Sequence, residues 1–599
     1  MCGIIGYVGF RNAREILLEG LKRLDYRGYD SAGVGLISDK LIVYKEVGEI
    51  KKLEEQVPAI NTTAGIGHTR WATHGGVTKA NAHPHTDCKK KIAVVHNGII
   101  ENFKELRDEL ISRGHKFTSD TDTEVVAHLV EEAYDGCLEK AVSSAIKRLK
   151  GSYALAFVSK DEPDKIVAAR KESPLVIGVG DNEYFVASDI PAFLKYTNRV
   201  IYIEDGEKCV LSRKGVKIFD ENDKEIEKDI NIVDWSIEEA EKAGFPHYML
   251  KEIYEQPRSI ADSFRGRIYE KEPHVILNVD VEVPESITIV ACGTSFYAGL
   301  AGKYMFEEIA DIPTKTELSS EYRYLGRKDE AGLVIAISQS GETADTLAAV
   351  RGAKKYGCKV MAITNVVGSS LTRIADYTIL TRCGPEIGVA ATKTFTAQLL
   401  MLLMLALDMG LKKGTIEDAR VEEYISHIKK LPSYIQYVLN RNEEIKRIAE
   451  EIKDKETVFF IGRGINYPLA LEGALKLKEI SYIHAEGFAA GELKHGPFAL
   501  LTEETPVVAV VSRDKTYEKM LANIREVKAR NSPVVAIADE EDMDVKSYVD
   551  EVIRYPATLP IISCIPIAVV LQLLAYHAAN LRGCPIDKPR NLAKSVTVE

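Results

Sequence analysis

A chain of 599 residues is too long for one hydrophobic core, and its length alone predicts about three or four domains. With 78 Lys and Arg against 89 Asp and Glu the formal net charge is −11, and no basic block interrupts the chain, which argues against a nucleic-acid partner or an anionic membrane surface. Nine scattered cysteines without a Cys-x-x-Cys pair fit a reducing, cytoplasmic setting better than a disulfide framework or a zinc site, and no metal is expected.

The chain opens Met1-Cys2-Gly3-Ile4-Ile5-Gly6. Removal of Met1, expected before so small a residue, leaves Cys2 with both a thiol and an α-amine. An amine titrating near ~8 can take the proton of a thiol titrating near ~8.5, so one residue can hold nucleophile and base. Cys2 fits equally well as a small buried residue at the start of a strand. The apolar run that follows is broken at Arg11 and Arg14, so no secretory signal is expected.

As far as about Phe219 the pattern is α+β, with strands in runs. Strands are predicted at Gly3–Val8, Ala32–Ile37, Leu41–Val47, Ile92–His96, Tyr153–Val158 and Leu175–Val179, and helices at about Ala13–Leu24, Asn102–Arg113 and Thr123–Tyr134. Four polar clusters lie between them: Tyr26–Gly33, Gly67–Gly75, His96-Asn97-Gly98 and Ser119–Glu124. Each alone has a structural explanation, as hairpin turn or helix N-terminus. His83 and His85 lack a third ligand at a telling spacing and are read as structural.

Asp220–Glu241 is dense in charge and reads as a solvated boundary, followed by a helical lead-in from Met249. From Ile287 the pattern becomes β-α alternation, and it repeats. Ile289–Phe296 has a counterpart in Phe460–Tyr467, Val334–Ser338 in Val507–Val511, and Val360–Thr364 in Val534–Ala538; charged helices at about Ile416–Asp454 join the copies. Phe395–Met409 is too short to span a bilayer, and Leu559–Ala579 contains Pro560, Pro566, Gln572 and His577, so both are expected to be buried helices at a core or subunit interface. In the first copy, strand Leu333–Ile337 leads through Ser338-Gln339-Ser340-Gly341-Glu342-Thr343 into a helix. Hydroxyls and free N–H groups at a helix N-terminus make a phosphate cradle, although helix capping alone also uses such residues. The equivalent turn of the second copy, Ser512–Thr516, lacks the Ser-Gly pair, so one phosphate site per chain is expected. Without a P-loop Lys or a G-x-G-x-x-G, no nucleotide is indicated.

With Cys2, the clusters of the first half resemble the class II glutamine amidotransferase domain. That resemblance implies the four-layer αββα fold of N-terminal nucleophile hydrolases over residues 2–220, with Cys2 as nucleophile and the Asn97 side chain and Gly98 N–H as oxyanion hole. It assigns glutamine to Arg70, Trp71, Thr73, His74 and Asp122, with Arg27 helping to close the site. A zwitterion needs a cation for its carboxylate and an anion for its ammonium, which is why an Arg and an Asp suit it.

The second half resembles sugar isomerase (SIS) domains, implying two α/β domains with parallel sheets at 281–430 and 431–585, after a linker and lead-in helix at 221–280 and before a C-terminal tail at 586–599. The whole chain resembles the glutamine–fructose-6-phosphate aminotransferase family, through stretches such as Cys292–Ser295, Gly384–Ala390, Leu475–His484, Glu492–Pro497 and Leu592–Glu599. This implies L-glutamine and D-fructose 6-phosphate as partners, no cofactor, ammonia passed between two sites, and a homodimer. Glu479 is implied as proton shuttle, Lys594 as Schiff-base lysine and His495 as ring-opening group reaching in from a neighbouring subunit. Sugar-phosphate contacts fall to Thr294, Ser295, Ser338, Gln339, Ser340, Thr343, Val389, Lys476 and Ala593. Ala391 stands where many relatives carry Ser, which removes a hydroxyl from the expected sugar contacts. Another phosphosugar aminotransferase of the same family is an alternative, as is a SIS-domain sugar-phosphate sensor, which the Cys-initiated front half and the negative charge disfavour.

Overall fold

The computed structural model describes every residue except 1, 29, 72–73, 234–241, 270–273, 325–331 and 598–599. It divides into two compact units, Met1–Ala240 with Ala593–Glu599, and Glu241–Leu592.

In the first unit two antiparallel sheets stack face to face. The eight-stranded sheet runs in the order Asn231–Ile232, Arg199–Tyr202, Val176–Val179, Tyr184–Ala187, Gly3–Val8, Ala64–Arg70, Ser31–Ile37, Leu41–Val47. The seven-stranded sheet runs Glu225–Ile226, Gly215–Phe219, Lys208–Ser212, Glu162–Lys171, Gly151–Ser159, Ile92–Ile100, His85–Thr86. Period-two alternation decides what each face meets. Along the first strand Ile5 and Tyr7 pack under helix Ala13–Leu24, while Ile4 and Val8 turn into the layer between the sheets. Along Ile92–Ile100, Ala93 and Val95 enter that same layer, and Ile92 and Val94 meet the helices Phe103–Ser112, Glu124–Ala133 and Leu138–Ile146. The result is the expected αββα order. The charged stretch from Asp220 departs from the linker reading, because Glu225–Ile226 pairs with Ile218–Phe219 and Asn231–Ile232 with Arg199–Val200. Charged residues are well suited to such short edge strands, which need one solvated face.

The second unit holds two five-stranded parallel sheets of identical design. One runs Thr314–Leu318, Ile287–Ala291, Leu333–Ser338, Lys359–Thr364, Tyr377–Leu380, and the other His484–Ala489, Thr457–Gly462, Val507–Val510, Val534–Asp539, Glu551–Tyr555. Helices cover both faces, so strand residues are buried on either side: Ile335 and Ile337 face one core while Val334 and Ala336 face another. The helices Lys393–Lys413 and Pro560–Leu581 contain the two long apolar stretches, and both are buried in an apolar cluster common to the two sheets. In both sheets the chain order reverses beside the first strand, which opens a crevice at the carboxyl ends of Ile287–Ala291 and Leu333–Ser338 in one sheet, and of Thr457–Gly462 and Val507–Val510 in the other.

Candidate active sites

In the first unit the segment order brings Cys2, Arg70, Asn97 and Asp122 to one end of the sheet pair. Cys2 precedes the central strand, whose partner Ala64–Arg70 ends beside it through the pairing of Gly3 with Thr69. The Cys2 Sγ accepts a hydrogen bond from the Trp71 backbone N–H at 3.2 Å. Burial pushes the thiol pKa up, with the Trp71 N–H and the Arg70 guanidinium acting the other way and Asp122 adding to the rise. Asn97 donates from Nδ2 to the Cys2 carbonyl at 2.9 Å, one of the two amide hydrogens it has to offer. Gly98 follows at φ 129°, and a Cβ there would lie 2.1 Å from the Ser152 carbonyl oxygen, so only glycine turns the backbone next to Asn97.

Asp122 is buried, with Oδ2 accepting from the Ile100 N–H at 2.8 Å. Arg70 is also buried, and its NH1 and NH2 donate to the Gly76 and Gly75 carbonyls at 3.1 Å each, and to that of His74. A carboxylate arriving at this fork takes over donors now held by the 74–76 loop. His74 itself lies edge-on to Phe103, with ring centroids 5.5 Å apart. Arg27 was read as a closing residue, but it is buried, bonding the Cys2 carbonyl at 3.4 Å and Asp189 at 3.0 Å, so here it braces the nucleophile's backbone. Thr73 lies outside the described residues.

Sequence reasoning did not foresee what lies beneath this site: four buried histidines, His68, His83, His85 and His96. His68 stacks on His83 at 4.1 Å and His83 meets His85 edge-on at 4.6 Å. Nε2 of His68 faces two acceptors, the His96 carbonyl at 2.9 Å and Asn97 Oδ1 at 3.1 Å, so it carries the proton and orients the Asn97 amide. His85 Nε2 meets Thr121 Oγ1 at 3.1 Å, and His96 Nδ1 meets Thr123 Oγ1 at 2.9 Å, on either side of Asp122. Burial lowers all four pKa values, that of His68 to about 3, so the stack is neutral.

In the second unit, Thr294 and Ser295 open the helix Gly293–Ile309 and Ser338–Thr343 precedes the helix Ala344–Lys355, both at the crevice of the first sheet. Ser338 Oγ lies 2.9 Å from Thr343 Oγ1 and accepts from the Gly341 N–H at 3.1 Å. Gly341 sits at φ 65° with no room for a Cβ, which would fall 2.1 Å from Ser369 Oγ. Gln339, Ser340 and Thr343 are half-buried at the mouth. The turn is thus preorganised with hydroxyls and helix N-termini toward an anion.

Helix Asn466–Ser481, from the second copy, carries Glu472, Lys476 and Glu479 on one face. The Lys476–Glu479 pair is no solvated surface contact: Lys476 is 1% exposed, bonds Glu479 Oε2 at 2.5 Å and stands 3.6 Å from Glu472 Oε1. Glu472, missed in the sequence, ties the two copies together by accepting from Thr294 Oγ1 at 3.2 Å. Burial is the main cause that raises its pKa to about 8, so Glu472 is mostly protonated at neutral pH. The i, i+4 spacing Glu472-x-x-x-Lys476 was the signal available. Val389 lies in a loop tied down by its N–H to the Asp587 carbonyl at 3.1 Å and by Glu252, which accepts from the Gly388 N–H at 3.0 Å. His495 ends a 3-10 turn and is exposed. Ala593 and Lys594 belong to the first compact unit, so the second unit by itself assembles the anion turn and the Glu472-Lys476-Glu479 group without them. Ser595 and Thr597 beside Lys594 are buried, unlike a frayed tail.

The glutamine amidotransferase domain model matches residues 68–195, and the SIS domain model matches 282–408 and 451–582. A glutamine–fructose-6-phosphate aminotransferase (isomerizing) of Methanosarcina acetivorans is 52% identical, with all of both chains covered, and one of Thermococcus kodakarensis is likewise 52% identical over the whole of both chains. Among solved structures, the C-terminal domain of glucosamine-fructose-6-phosphate aminotransferase from Francisella tularensis is 40% identical, covers 58% of this chain and 99% of its own, and superposes with a TM-score of 0.56.

Proposed function

This chain belongs to the glutamine–fructose-6-phosphate aminotransferase (isomerizing) family, and on that premise we propose how its residues divide the work. The enzyme is a transferase that turns D-fructose 6-phosphate and L-glutamine into D-glucosamine 6-phosphate and L-glutamate. With Met1 removed, the Cys2 amine accepts the thiol proton and the sulfur attacks the glutamine amide carbon. The second Asn97 amide hydrogen and the Gly98 N–H stabilise the tetrahedral oxyanion, ammonia leaves, and water cleaves the thioester to release glutamate. Arg70 holds the α-carboxylate and Asp122 the α-ammonium.

At the sugar site Ser338, Gln339, Ser340 and Thr343, with Thr294 and Ser295, hold the phosphate and hydroxyls. His495, supplied by a second subunit in a homodimer, opens the ring, and its exposure supports that role. Lys594 forms the Schiff base at C2 with loss of water, ammonia displaces the Lys594 amine to give the C2 imine, and Glu479 moves the proton from C1 to C2 to complete the aldose. Lys476 fixes the orientation of Glu479. Ammonia passes internally from Cys2 to C2, and the unpaired state of the cysteines supports a cytoplasmic setting.

The observation that carries this reading is the hydroxyl-lined turn at the switch point of the first sheet, joined through Thr294 and Glu472 to the helix bearing Lys476 and Glu479. The test follows glutamate and glucosamine 6-phosphate together in the wild type and in Cys2→Ala. Equal yields of both in the wild type, and neither from glutamine in Cys2→Ala, are expected. Amino sugar formed from glutamine by Cys2→Ala overturns the assignment of the nucleophile.

A further inference from the structure

Away from both sites, the first unit gathers Cys88, His115, His128 and Glu131, whose ligand atoms all lie within 4.8 Å of one another. They come from three segments: the turn between strands His85–Thr86 and Ile92–Ile100, the connection after helix Phe103–Ser112, and the helix Glu124–Ala133, where His128 and Glu131 share a face. Cys88 Sγ is 3.6 Å from Nδ1 of His115 and 3.7 Å from Nδ1 of His128. Glu131 Oε2 is 3.2 Å from the first of these nitrogens and 3.5 Å from the second. A tetrahedral Zn2+ with bonds of about 2.3 Å to sulfur and about 2.0–2.1 Å to nitrogen and oxygen has S···N edges of about 3.6 Å and N···O edges of about 3.4 Å. The four separations match that figure.

Nε2 of His115 faces Glu132 Oε1 at 3.4 Å, and Nε2 of His128 faces Glu124 Oε1 at 3.8 Å. Carboxylates thus stand behind both rings, on the side away from Cys88, where metal-bound histidines find their supporting partners. With the thiol ionised, one thiolate and one carboxylate neutralise a divalent cation. The turn is stiff, since Asp87 Oδ1 accepts from the Lys91 and Ile92 N–H groups at 2.6 and 2.7 Å, and the Cys88 N–H and Lys116 N–H already engage Glu131 Oε2 and Cys88 Sγ at 3.0 and 3.4 Å.

We propose that Cys88, His115, His128 and Glu131 form a structural zinc site. Soft sulfur with imidazole and carboxylate favours Zn2+ over harder cations. His128 and Glu131 ride the helix that starts directly after the Ser119–Thr123 loop, so the ion clips the 87–91 turn to the helix that follows Asp122, and it does so without touching either reaction centre.

The test uses the full-length enzyme, stripped with a chelator, reloaded with Zn2+ and desalted. One zinc per chain and a raised Tm are expected, and Co2+ in its place should show a thiolate-to-cobalt charge-transfer band that Cys88→Ser abolishes. His115→Ala lowers zinc retention, and Glu132→Gln, which keeps all four ligands, weakens Zn2+ binding by about 10–100-fold. Metal content far below one per chain after loading overturns the proposal. So does equal zinc retention, or an unchanged cobalt band, in Cys88→Ser.

Discussion

The two SIS domains share a strand order, yet their crevices have opposite fates. In the first, Ser338 Oγ accepts from the Gly341 N–H and faces Thr343, a turn of hydroxyls before a helix N-terminus with a half-buried mouth. In the second, Ser512 Oγ accepts from Asn466 Nδ2 at 2.9 Å and is shared with Tyr555 and Ser563, while Arg463 is bound to Asn523 at 2.8 Å. Asp514 also accepts from the Thr516 N–H at 2.7 Å, which puts a carboxylate where an anion would have to sit. The second copy has filled its own crevice and lends the helix with Glu472, Lys476 and Glu479 to the first. Duplication of a fold thus repeated the scaffold without repeating the turn, since the hydroxyl of Ser512 is held by Asn466, Tyr555 and Ser563 where Ser338 faces the Thr343 hydroxyl.

That contrast can be broken most severely at Glu479. Glu479→Gln should cut glucosamine 6-phosphate formation by about 10²–10⁴, the usual size of a general acid–base contribution, while glutamine hydrolysis persists. Undiminished amino-sugar synthesis would show that the lent helix does not do the proton transfer. Next comes Gly341→Val. Its left-handed φ of 65° and the 2.1 Å approach to Ser369 should displace the turn and raise the KM for fructose 6-phosphate. Gly464→Ala, at φ 54° with its nearest neighbour at 3.7 Å, should cost only about 1–2 kcal/mol of stability and leave KM alone.

A matched pair of serines sharpens the comparison. Ser338→Ala should raise the KM for fructose 6-phosphate about ten- to a hundredfold, as loss of a hydrogen bond to a charged group worth about 1.5–3 kcal/mol, whereas Ser512→Ala should lower stability by about 1 kcal/mol at constant KM. Equal effects on KM would mean that both crevices bind sugar. The last effect concerns pH. Glu472 goes from 4.5 to about 8 on folding, chiefly through burial, so between these values the folded chain holds a proton that the unfolded chain has released. Its contribution to stability is present below about 4.5 and is lost as pH rises through about 8, and Glu472→Gln should flatten that slope in thermal melts between pH 5 and pH 9.

Much of this was legible from residues in a row. Cys2 with His96-Asn97-Gly98, Ser119–Glu124 and the paired strand-turn-helix units announced two chemistries, since short motifs constrain local backbone and donor type. Groups assembled from distant segments left little trace. His83 and His85 read as structural, and His68 and His96 as members of polar clusters, but only packing shows His68, His83 and His85 in ring contact beside Asn97. Cys88 lacked a partner at zinc-finger spacing, although His128-x-x-Glu131 on one helix face was a visible hint. The charge density after Asp220 suggested a linker, yet edge strands tolerate the same composition.

By itself, then, the amino-acid order determined an α+β front half and two repeated parallel-sheet domains, because alternation of period two and unbroken apolar strands each have few ways to be buried, while the αββα layering came from the family resemblance. It also determined which turn could hold an anion. The tertiary structure alone decided that Lys476 is buried between Glu472 and Glu479, that Arg70 rests on its own loop, that the second crevice is filled, and that four ligand atoms from three segments meet within 4.8 Å of one another. Burial and convergence are properties of the packed chain, and a linear order carries neither until distant segments meet.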